Sequence, residues 1–439
     1  MTNLSNVFSK LGVHIPKIML PRPETDLGKW AVVACDQYTS EHDYWKEVEA
    51  VAKGSPSTLN IIFPEVYLED GDSDVRIDEI NSAMKGYVED GILTELDNCF
   101  ILVDRKTSHA ASRKGLMLAL DLDCYDYNKG SKALIRATEG TVLDRLPPRI
   151  KIRQNAPIEL PHIMVLIDDP ERTVIEPLAE KASSLEKLYD FELMMNGGHI
   201  KGYKVSGEED LSSIAAALSK LSEKDVFCNK YGIESSQEVL LFAVGDGNHS
   251  LASAKGHWEN LKKCLSPEEQ ENHPARYALV ELVNVHDEGL VFEPIHRVLF
   301  NVEPEELIKE FKAFGSKVSC SDIACSSDKN AHVFNYITSE GKGTVTIENP
   351  VSNLEVGTLQ TFLDNYLKEH PQAKIDYIHG EDVVTKLGSQ PGNIGIYLPS
   401  MNKTDLFKTV ILDGALPRKT FSMGEAEEKR FYLECRKIR

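Results

Sequence analysis

The sequence contains no uninterrupted apolar run of the about 18–20 residues needed to cross a bilayer. Its eight cysteines are scattered and include no CxxC pair, which argues against a zinc ribbon, a redox dithiol or a disulfide scaffold. The opening segment MTNLSNVFSKLGVHIPKIML lacks the basic region and the apolar stretch of a signal peptide. We therefore expect a cytoplasmic protein with reduced thiols.

Positive charge is also scarce, because 69 acidic residues against 49 basic ones leave a formal net charge of −20. Such a field repels phosphate backbones and anionic lipids. We therefore expect a small-molecule substrate and neither nucleic acid nor membrane as a partner, while assembly into a homo-oligomer stays open. The 41% hydrophobic content is typical of a soluble, core-forming chain, and 439 residues indicate two or three domains.

The motifs of several common enzyme classes are missing. Neither a P-loop nor a GxGxxG pattern is present, so no standard phosphate-binding loop is predicted. The histidines show no HExxH or comparable spacing, which argues against a preformed transition-metal site. A nucleophile elbow, a kinase signature set and a Ser-x-x-Lys motif are absent as well.

Helical and strand patterns alternate along the chain without an internal repeat. Apolar spacing predicts helices over 40–53 and 74–90, and compact apolar runs predict strands over 99–105 and 239–244. These patterns indicate an α+β fold with mixed sheets and flanking helices. We expect a main α+β domain over 1–300 and a smaller C-terminal α+β domain over 301–439, whose tail could return to the functional site.

The sharpest local feature is VLLFAVGDGNHSLASAKGHW, residues 239–258, in which a buried strand ends in a turn and a helix follows. The first turn of a helix has unpaired N–H groups and a positive dipole, so a phosphate or carboxylate can bind there. Asp246 would be available to a magnesium ion or a substrate hydroxyl, and His249 to a phosphate oxygen. The alternative is that Asp246, Gly247 and Asn248 supply nothing beyond turn chemistry.

A second feature is the cluster of cations in RLPPRIKIR, residues 145–153. As a strand, this segment would point Arg149, Lys151 and Arg153 to one face, where the three positive charges need an anionic partner. One candidate partner is a substrate phosphate or carboxylate, which suits the bidentate arginine fork. The other is a set of protein carboxylates, namely Glu139, Asp144 and Glu159.

Further candidates lie beside strands or in loops. His296 and Arg297 close one predicted strand and His162 opens another, although a histidine beside an apolar run is more often a hydrogen-bonded core residue than a catalyst. Lys419 and Thr420 follow the last predicted helix, where they could contact a phosphate or simply form a surface loop.

Several segments resemble the bacterial domain-of-unknown-function family 1015. They are WAVVACDQYTSEHDYW (30–45), DRLPPRIKIRQNAPIELPH (144–162), VGDGNHSLASAK (244–255), ARYALVELVNVHDEGLVFEPIHR (275–297) and LPRKTFSM (416–423). The resemblance runs through nearly all of the chain in the same order, and the chain is identified as a member of that family.

A more distant resemblance connects the chain with free serine kinases, which have a ParB/sulfiredoxin-like fold. The Asp-Gly-Asn-His turn is similar to their Asp-Gly-His-His-Arg turn, and Pro21-Arg22-Pro23-Glu24 is similar to their N-terminal Pro-x-Glu. The resemblance implies a ParB/sulfiredoxin-like core, with Glu24 as the catalytic base and Asp246 near the metal or the substrate hydroxyl. It also implies a phosphate cradle at Gly247, Asn248 and His249.

Their closing Lys-Thr-Thr-Arg-His segment is similar to residues 418–422, so the resemblance implies that Lys419 and Thr420 contact substrate or phosphate. Ser250 replaces the arginine of the kinase turn, and Arg149, Arg153 or Arg297 would have to supply the missing positive charge.

The leading hypothesis is a phosphotransferase acting on a small hydroxyl metabolite, with free serine or phosphoserine as the best candidate. The resemblance implies Mg²⁺ and ATP or ADP as cofactors. Glu24, Asp246 and His249 are then catalytic, and Gly247, Asn248, Ser250, Lys419 and Thr420 bind phosphate or nucleotide. The substrate anion is bound by Arg149, Arg153, His296 and Arg297. The alternatives are a non-catalytic nucleotide- or metabolite-binding regulator and a phosphoserine phosphatase.

Overall fold

The computed structural model of the chain describes residues 2–68, 70–141, 143, 146–319, 331–348, 350 and 352–439. The chain forms two compact units. The first comprises Met1–Leu290 together with Gly424–Arg439, and the second comprises Val291–Met423. The sequence predicts a domain boundary at residue 300; the first unit ends at Leu290 and resumes at Gly424, so the last residues of the chain belong to it.

Helices cover both units in the described parts of the chain. Their bounds are α1 Thr2–Lys10, α2 Leu27–Trp30, α3 His42–Ala52, α4 Ser73–Glu89, α5 Leu146–Gln154, α6 Glu176–Glu180, α7 Glu208–Leu221, α8 Lys224–Tyr231, α9 Asn248–Lys262, α10 Pro267–Asn272, α11 Pro304–Ser319, α12 Glu355–Glu369, α13 Glu381–Gly388 and α14 Lys403–Asp413.

Most strands are short. Their bounds are β1 Val13–His14, β2 Met19–Pro21, β3 Val32–Val33, β4 Leu93–Glu95, β5 Phe100–Lys106, β6 Arg113–Asp121, β7 Tyr125–Asp126, β8 Ile135–Ala137, β9 Ile158–Glu159, β10 Met164–Ile167, β11 Glu186–Glu192, β12 His199–Val205, β13 Phe242–Asp246, β14 Tyr277–Asn284, β15 Phe292–Pro294, β16 His296–Phe300, β17 His332–Thr338, β18 Gly341–Ile347, β19 Lys374–Ile378, β20 Asn393–Tyr397, β21 Phe421–Met423, β22 Phe431–Tyr432 and β23 Arg436–Lys437.

The first unit is built on one large mixed sheet with the strand order β11-β12-β5-β6-β14-β10-β13-β8-β7, and β1 pairs with β6. The β14–β10, β13–β8 and β8–β7 pairs are parallel. The other pairs are antiparallel. The predicted α+β class with mixed sheets and flanking helices is therefore confirmed.

Both faces of this sheet are buried. Because side chains alternate along a strand, Phe100 and Leu102 of β5 enter a core with helices α1, α7 and α9. Ile101 and Val103 enter a second core, on the other face, with α3, α4 and the residues around Phe431. A sheet that is covered on both faces needs nearly continuous apolar strands, which is the pattern in β5, β6 and β14.

The last residues of the chain are an integral part of the first unit. Strand β22 pairs with β3 and strand β23 pairs with β9, while Met19 forms a bridge with Cys435. The Trp30 indole donates a hydrogen bond to the Leu433 carbonyl at 3.0 Å. We call residues 424–439 the C-terminal tail.

The second unit has its own antiparallel sheet with the strand order β18-β17-β20-β16-β19, and a separate pair of strands, β15 and β21. Helices α11 and α12 cover one face, where Phe311 packs on Phe334 and Phe362 with ring centroids 5.0 and 4.6 Å apart. This unit is a smaller α+β arrangement.

The predicted helices over 40–53 and 74–90 correspond to α3 and α4, and the predicted strands over 99–105 and 239–244 correspond to β5 and β13. No helix in the described ranges has the length and apolar character to span a bilayer. The cysteines within those ranges are all free, and Cys320 and Cys325 lie outside the described residues.

Candidate functional site

The turn between β13 and α9 is formed by Asp246, Gly247 and Asn248. Gly247 has a φ of +75°, which glycine adopts at low cost, and a Cβ there would lie 3.0 Å from the Ile163 Cα. Asp246 Oδ1 accepts the Gly247 N–H at 2.9 Å. Gly247 is the N-cap residue of α9 and makes no side-chain cap hydrogen bond, and the positive end of the helix dipole at this point favours an anion.

Asn248 fastens the start of α9 to the sheet. Its Oδ1 accepts the Thr138 N–H at 3.3 Å, and its amide group donates to the Val244 carbonyl at 3.4 Å. Thr138 Oγ1 donates to the same carbonyl at 2.6 Å. The Asn248 side chain therefore holds the turn in place.

A lysine from the C-terminal tail meets this turn. Lys429 Nζ lies 3.1 Å from Asp246 Oδ2, and the two side chains are 16% and 29% exposed. Buried Arg105 holds the tail at this point, because its Nη2 donates to the Glu427 carbonyl at 2.6 Å and to the Gly197 carbonyl at 2.9 Å. Arg105 Nη1 also donates to the Lys429 carbonyl.

A histidine lies beside the same turn. His162 Nε2 is 3.0 Å from Ser250 Oγ and 3.6 Å from Asp36 Oδ2. On the other side of the ring, His162 Nδ1 is 2.8 Å from the Tyr432 hydroxyl. We refer to Asp36, His162, Asp246, Ser250 and Lys429 as the Asp246 site.

The charges in the Asp246 site favour an ionised Asp36. Burial raises the pKa of Asp36, but the His162 ring, the Gln37 amide and the Lys429 cation outweigh burial and hold the pKa below its ordinary value. Burial raises the pKa of the Cys35 thiol and of the Tyr432 phenol. Both groups therefore stay protonated near neutral pH and act as hydrogen-bonding groups.

Sheet topology explains why these segments converge. Met164 of β10 pairs with Asp246 of β13, so His162, which precedes β10, lies beside the start of α9. Tyr432 of β22 pairs with Val32 of β3, so the tail runs beside the segment that leads to Asp36. The site therefore combines four separate parts of the chain at one end of β13.

The cation cluster over 149–153 is not a strand, and that prediction was wrong. Arg149, Lys151 and Arg153 lie in helix α5. Pro147 and Pro148 fall in the first turn of this helix, where the missing N–H costs nothing and the fixed φ of proline is suitable. The alternation of isoleucine and basic residues imitated a strand pattern.

The arginines of α5 pair with protein carboxylates. Arg149 donates to Glu65, and Arg153 Nη2 lies 2.5 Å from Glu159 Oε2. Of the carboxylates proposed from the sequence, Glu159 is thus a partner, and Asp144 lies outside the described residues. Substrate binding by Arg149 and Arg153 stays a prediction.

Glu24 lies in the loop between β2 and α2. Its side chain is 76% exposed, and its Oε2 is 4.0 Å from Arg22 Nε. Within the described ranges, Arg22 is its ion-pair partner. The role of Glu24 as a base stays a prediction.

The remaining candidates belong to the second unit, where two groups of them meet. Buried Arg297 donates to the Arg418 carbonyl at 3.1 Å, which brings β16 beside the segment with Lys419 and Thr420. His296 Nδ1 accepts the Leu398 N–H at 3.0 Å, and burial lowers its pKa.

The other contacts in this region are also with protein groups. Arg297 Nε donates to Gln360 Oε1 at 3.2 Å, and burial lowers the Arg297 pKa to about 10. Thr420 Oγ1 donates to the Pro417 carbonyl at 2.5 Å, whereas Lys419 is exposed. These contacts hold the second unit together.

No group of three or more histidine, cysteine, aspartate or glutamate side chains that could hold a metal ion occurs in the part of the chain that the structure describes. Asp246 and Asp36 nevertheless offer oxygen ligands close to Lys429. Magnesium in nucleotide sites is usually held by one or two carboxylates plus phosphate and water oxygens. The carboxylates therefore suit a metal that arrives with a phosphate.

The sequence gives no sign of Asp36, Lys429 and Tyr432 as functional candidates, and it leaves His162 open between a site residue and a hydrogen-bonded core residue. Asp36 comes shortly after the buried strand β3, and Asp246 is the last residue of β13, so a position near the end of a buried strand is the signal that could have indicated Asp36. Lys429 stands in a mixed-charge segment that is far from Asp246 in sequence, so no local pattern connects the two residues.

Solved structures to which the chain is similar include a conserved hypothetical protein from Pyrococcus furiosus, at 12% identity and a TM-score of 0.32, over 72% of this chain and 90% of that one. They also include a variant of free serine kinase in complex with AMP, at 10% identity and a TM-score of 0.37, over 75% of this chain and 94% of the kinase chain. The same kinase variant in complex with ADP has 10% identity, a TM-score of 0.35 and the same coverage.

Likeness at this level does not carry an activity from one protein to another. No curated protein matches the chain. The sequence profile of one family, described as a protein of unknown function (DUF1015), matches residues 16–366. Since this match spans most of the 439 residues, the chain belongs to the DUF1015 family.

Proposed function

We propose that the first unit is a phosphotransferase that moves a phosphoryl group to or from the hydroxyl of a small metabolite at the Asp246 site. The observation that carries this proposal is the position of Lys429 Nζ, 3.1 Å from Asp246 at the N-terminus of α9. Free serine or phosphoserine is the candidate metabolite from the sequence resemblance. On this proposal, the sheet around β13 contains the ParB/sulfiredoxin-like core.

Phosphoryl transfer needs positioning and charge neutralisation more than covalent chemistry from the protein. Two features of the site favour a phosphate: the Lys429 ammonium and the positive end of the α9 helix dipole. The carboxylate of Asp246 lies 3.1 Å from the lysine ammonium and holds it beside the turn. A phosphate that binds here would contact Lys429 and the start of α9.

The substrate hydroxyl requires a base. Glu24 is the base that the sequence resemblance implies, and its exposed carboxylate can accept a proton. Such a base usually contributes about 10²–10⁴-fold to the rate. Mg²⁺ would be held by Asp246 and Asp36 with the phosphates of ATP or ADP, and it would neutralise charge on the transferred group.

Phosphorus NMR tests this proposal directly. Purified protein would be incubated with Mg²⁺, L-serine and either ATP or ADP, and a parallel sample would contain phosphoserine without nucleotide. We expect a new phosphoserine resonance in one of the first two samples. Inorganic phosphate that grows in the phosphoserine sample would identify a phosphatase instead. Unchanged spectra together with saturable nucleotide binding would contradict a transferase and favour a binding regulator.

Two substitutions connect the activity to the site. We expect Lys429→Met to abolish phosphate binding in calorimetry, while Lys437→Met, in the same tail with a half-exposed side chain, should bind like the unmodified protein. We expect Glu24→Gln to lose turnover but keep nucleotide binding. Glu89→Gln, at an exposed position near the end of α4, is its matched control. Loss of both properties in Glu24→Gln would indicate a structural glutamate.

A further inference from the structure

We propose that Ser250 is a nucleophile that carries the phosphoryl group as a covalent phosphoserine, with His162 as its base. The inference rests on the proposed function, because it assumes that the Asp246 site handles phosphoryl groups. It adds a double-displacement mechanism and a nucleophilic role that differs from simple phosphate binding.

The contact between Ser250 and His162 has the geometry of an activated nucleophile. Ser250 Oγ is 3.0 Å from His162 Nε2, within the about 2.6–3.2 Å range in which a base can take the proton. His162 is 8% exposed, whereas Ser250 is half-buried and can meet a substrate. The arrangement therefore excludes water from the base more than from the nucleophile.

A third side chain orients the histidine, as such nucleophile–base pairs require. The Tyr432 hydroxyl donates to Cys35 Sγ at 3.0 Å, so it accepts the proton of His162 Nδ1 at 2.8 Å. This pattern leaves the lone pair of Nε2 directed towards Ser250. The raised pKa of Tyr432, which burial causes, keeps the phenol protonated and preserves the pattern.

Two nearby features, the start of α9 and Lys429, favour the negative charge that forms on the serine oxygen and the phosphate. Ser250 is in the first turn of α9, where the positive end of the helix dipole favours negative charge on the serine oxygen and on a bound phosphate. Lys429, at Asp246, adds a cation to the same turn.

The two steps balance without a further reactant. In the first, Ser250 Oγ forms a bond to the phosphorus of the donor, the bond from that phosphorus to the leaving oxygen breaks with its electron pair, and His162 Nε2 takes the serine proton. In the second, the acceptor hydroxyl forms a bond to phosphorus and gives its proton to Glu24, while Ser250 Oγ leaves and recovers the proton from His162. One phosphoryl group passes from donor to acceptor.

Trapping the intermediate tests the inference. The protein would be incubated with ATP, ADP, phosphoserine or acetyl phosphate without an acceptor, quenched in acid and mapped by peptide mass spectrometry. We expect a phosphorylated Ser250 in at least one sample, and its loss when an acceptor hydroxyl is added. We expect Ser250→Ala to abolish the label and His162→Gln to slow its formation by about 10²–10⁴-fold.

Ser253→Ala is the matched control, because Ser253 lies in the same helix and donates to the His249 carbonyl at 2.7 Å. It should be labelled at Ser250 like the unmodified protein. Circular dichroism shows whether each variant is folded. Since His162 is buried and its variant could unfold, Tyr432→Phe provides a second test, in which labelling should slow although Ser250 and His162 are both present.

A phosphonofluoridate probe separates failure of this inference from failure of the proposed function. The probe bonds to an activated serine with loss of fluoride and needs no phosphoryl donor. Phosphotransfer that continues in Ser250→Ala would overturn the inference and leave the proposed function intact. If the probe labels Ser250 in a way that depends on His162 but no donor transfers a phosphoryl group, both the phosphotransferase function and the phosphoserine intermediate are overturned. If Ser250 carries neither a phosphoryl group nor the probe, its role as a nucleophile is overturned.

Discussion

Replacing Arg105 with methionine is expected to destabilise the first unit and release the C-terminal tail. Arg105 is 2% exposed and lies on β5, beneath the tail. Its guanidinium donates to the carbonyls of Gly197 and Glu427 at 2.9 and 2.6 Å and also to the Lys429 carbonyl. Methionine fills much of the same volume but offers no donor, so the buried Gly197 carbonyl and the partly buried carbonyls of Glu427 and Lys429 lose this partner.

The magnitude follows from two opposing effects. Each buried carbonyl that loses its partner costs about 1–3 kcal/mol. Part of this cost is offset, because the variant no longer buries a cation. The energetic cost of burying the Arg105 cation shows in its pKa, which burial and the nearby Arg113 charge lower to about 9. We therefore expect a net loss of about 2–4 kcal/mol in the free energy of unfolding, near the range found when buried ionic networks are broken.

Tryptophan fluorescence is a suitable assay, because all three tryptophans of the chain, Trp30, Trp45 and Trp258, belong to the first unit. Urea unfolding followed by this signal reports the first unit. Arg172→Met, at a half-exposed position on the surface of the same unit, should change the stability by no more than about 0.5 kcal/mol.

Chemical acylation of Lys429 gives a second readout of the same prediction. The partly buried, ion-paired lysine should react slowly in the unmodified protein and faster in Arg105→Met. Lys437, which is already half-exposed, should react equally in both proteins. Unchanged stability together with unchanged Lys429 reactivity would refute the conclusion that Arg105 holds the tail.

Two further predictions concern the turn and the pH dependence of stability. Gly247→Ala should lower the free energy of unfolding by at least about 1 kcal/mol and weaken phosphate binding in calorimetry, because φ is +75° and the new Cβ would contact the Ile163 backbone. The control is Gly232→Ala, where φ is +62° and the space around the residue is open. It should lose only the stability that the positive φ costs, and it should bind phosphate normally. Burial, together with the charges of Arg153 and Arg439, lowers the pKa of His257 from 6.5 to about 4. His257 therefore binds a proton below about pH 6.5 in the unfolded chain but only below about pH 4 in the folded protein. Stability should therefore fall as pH drops through this window, and His257→Gln should reduce the loss between pH 7 and pH 5 by about 1–2 kcal/mol; an identical slope in the variant would contradict the assignment.

Local signals were sufficient to predict the central turn of the site. The apolar run of β13, the glycine in the turn and the helical spacing after His249 all lie within a short stretch of sequence. Such features depend on nearby residues and on backbone conformation, which sequence patterns report well. The same reasoning failed for α5, where isoleucine and basic residues alternate like a strand although Pro147 and Pro148 favour the start of a helix.

The partners of this turn could not be predicted in the same way. Asp36 and His162 reach Asp246 through the pairing of β22 with β3 and of β10 with β13, and these pairings join distant parts of the chain. The burial of charged side chains could not be predicted from the sequence either. Glu281 on β14 and Arg430 in the tail form an ion pair at 2.8 Å inside the core, where a sequence pattern predicts apolar residues.

The match to the DUF1015 family covers only part of the Asp246 site. Residues 16–366 include Asp36, His162 and Ser250, whereas Lys429 and Tyr432 lie beyond the matched region. Without Lys429, the carboxylates of Asp36 and Asp246 would oppose the binding of a phosphate. Without Tyr432, the histidine would lose the hydrogen bond that fixes its orientation. The proposed chemistry therefore depends on the C-terminal tail, and it can be extended to another member of the family where that member's tail supplies an equivalent lysine and tyrosine.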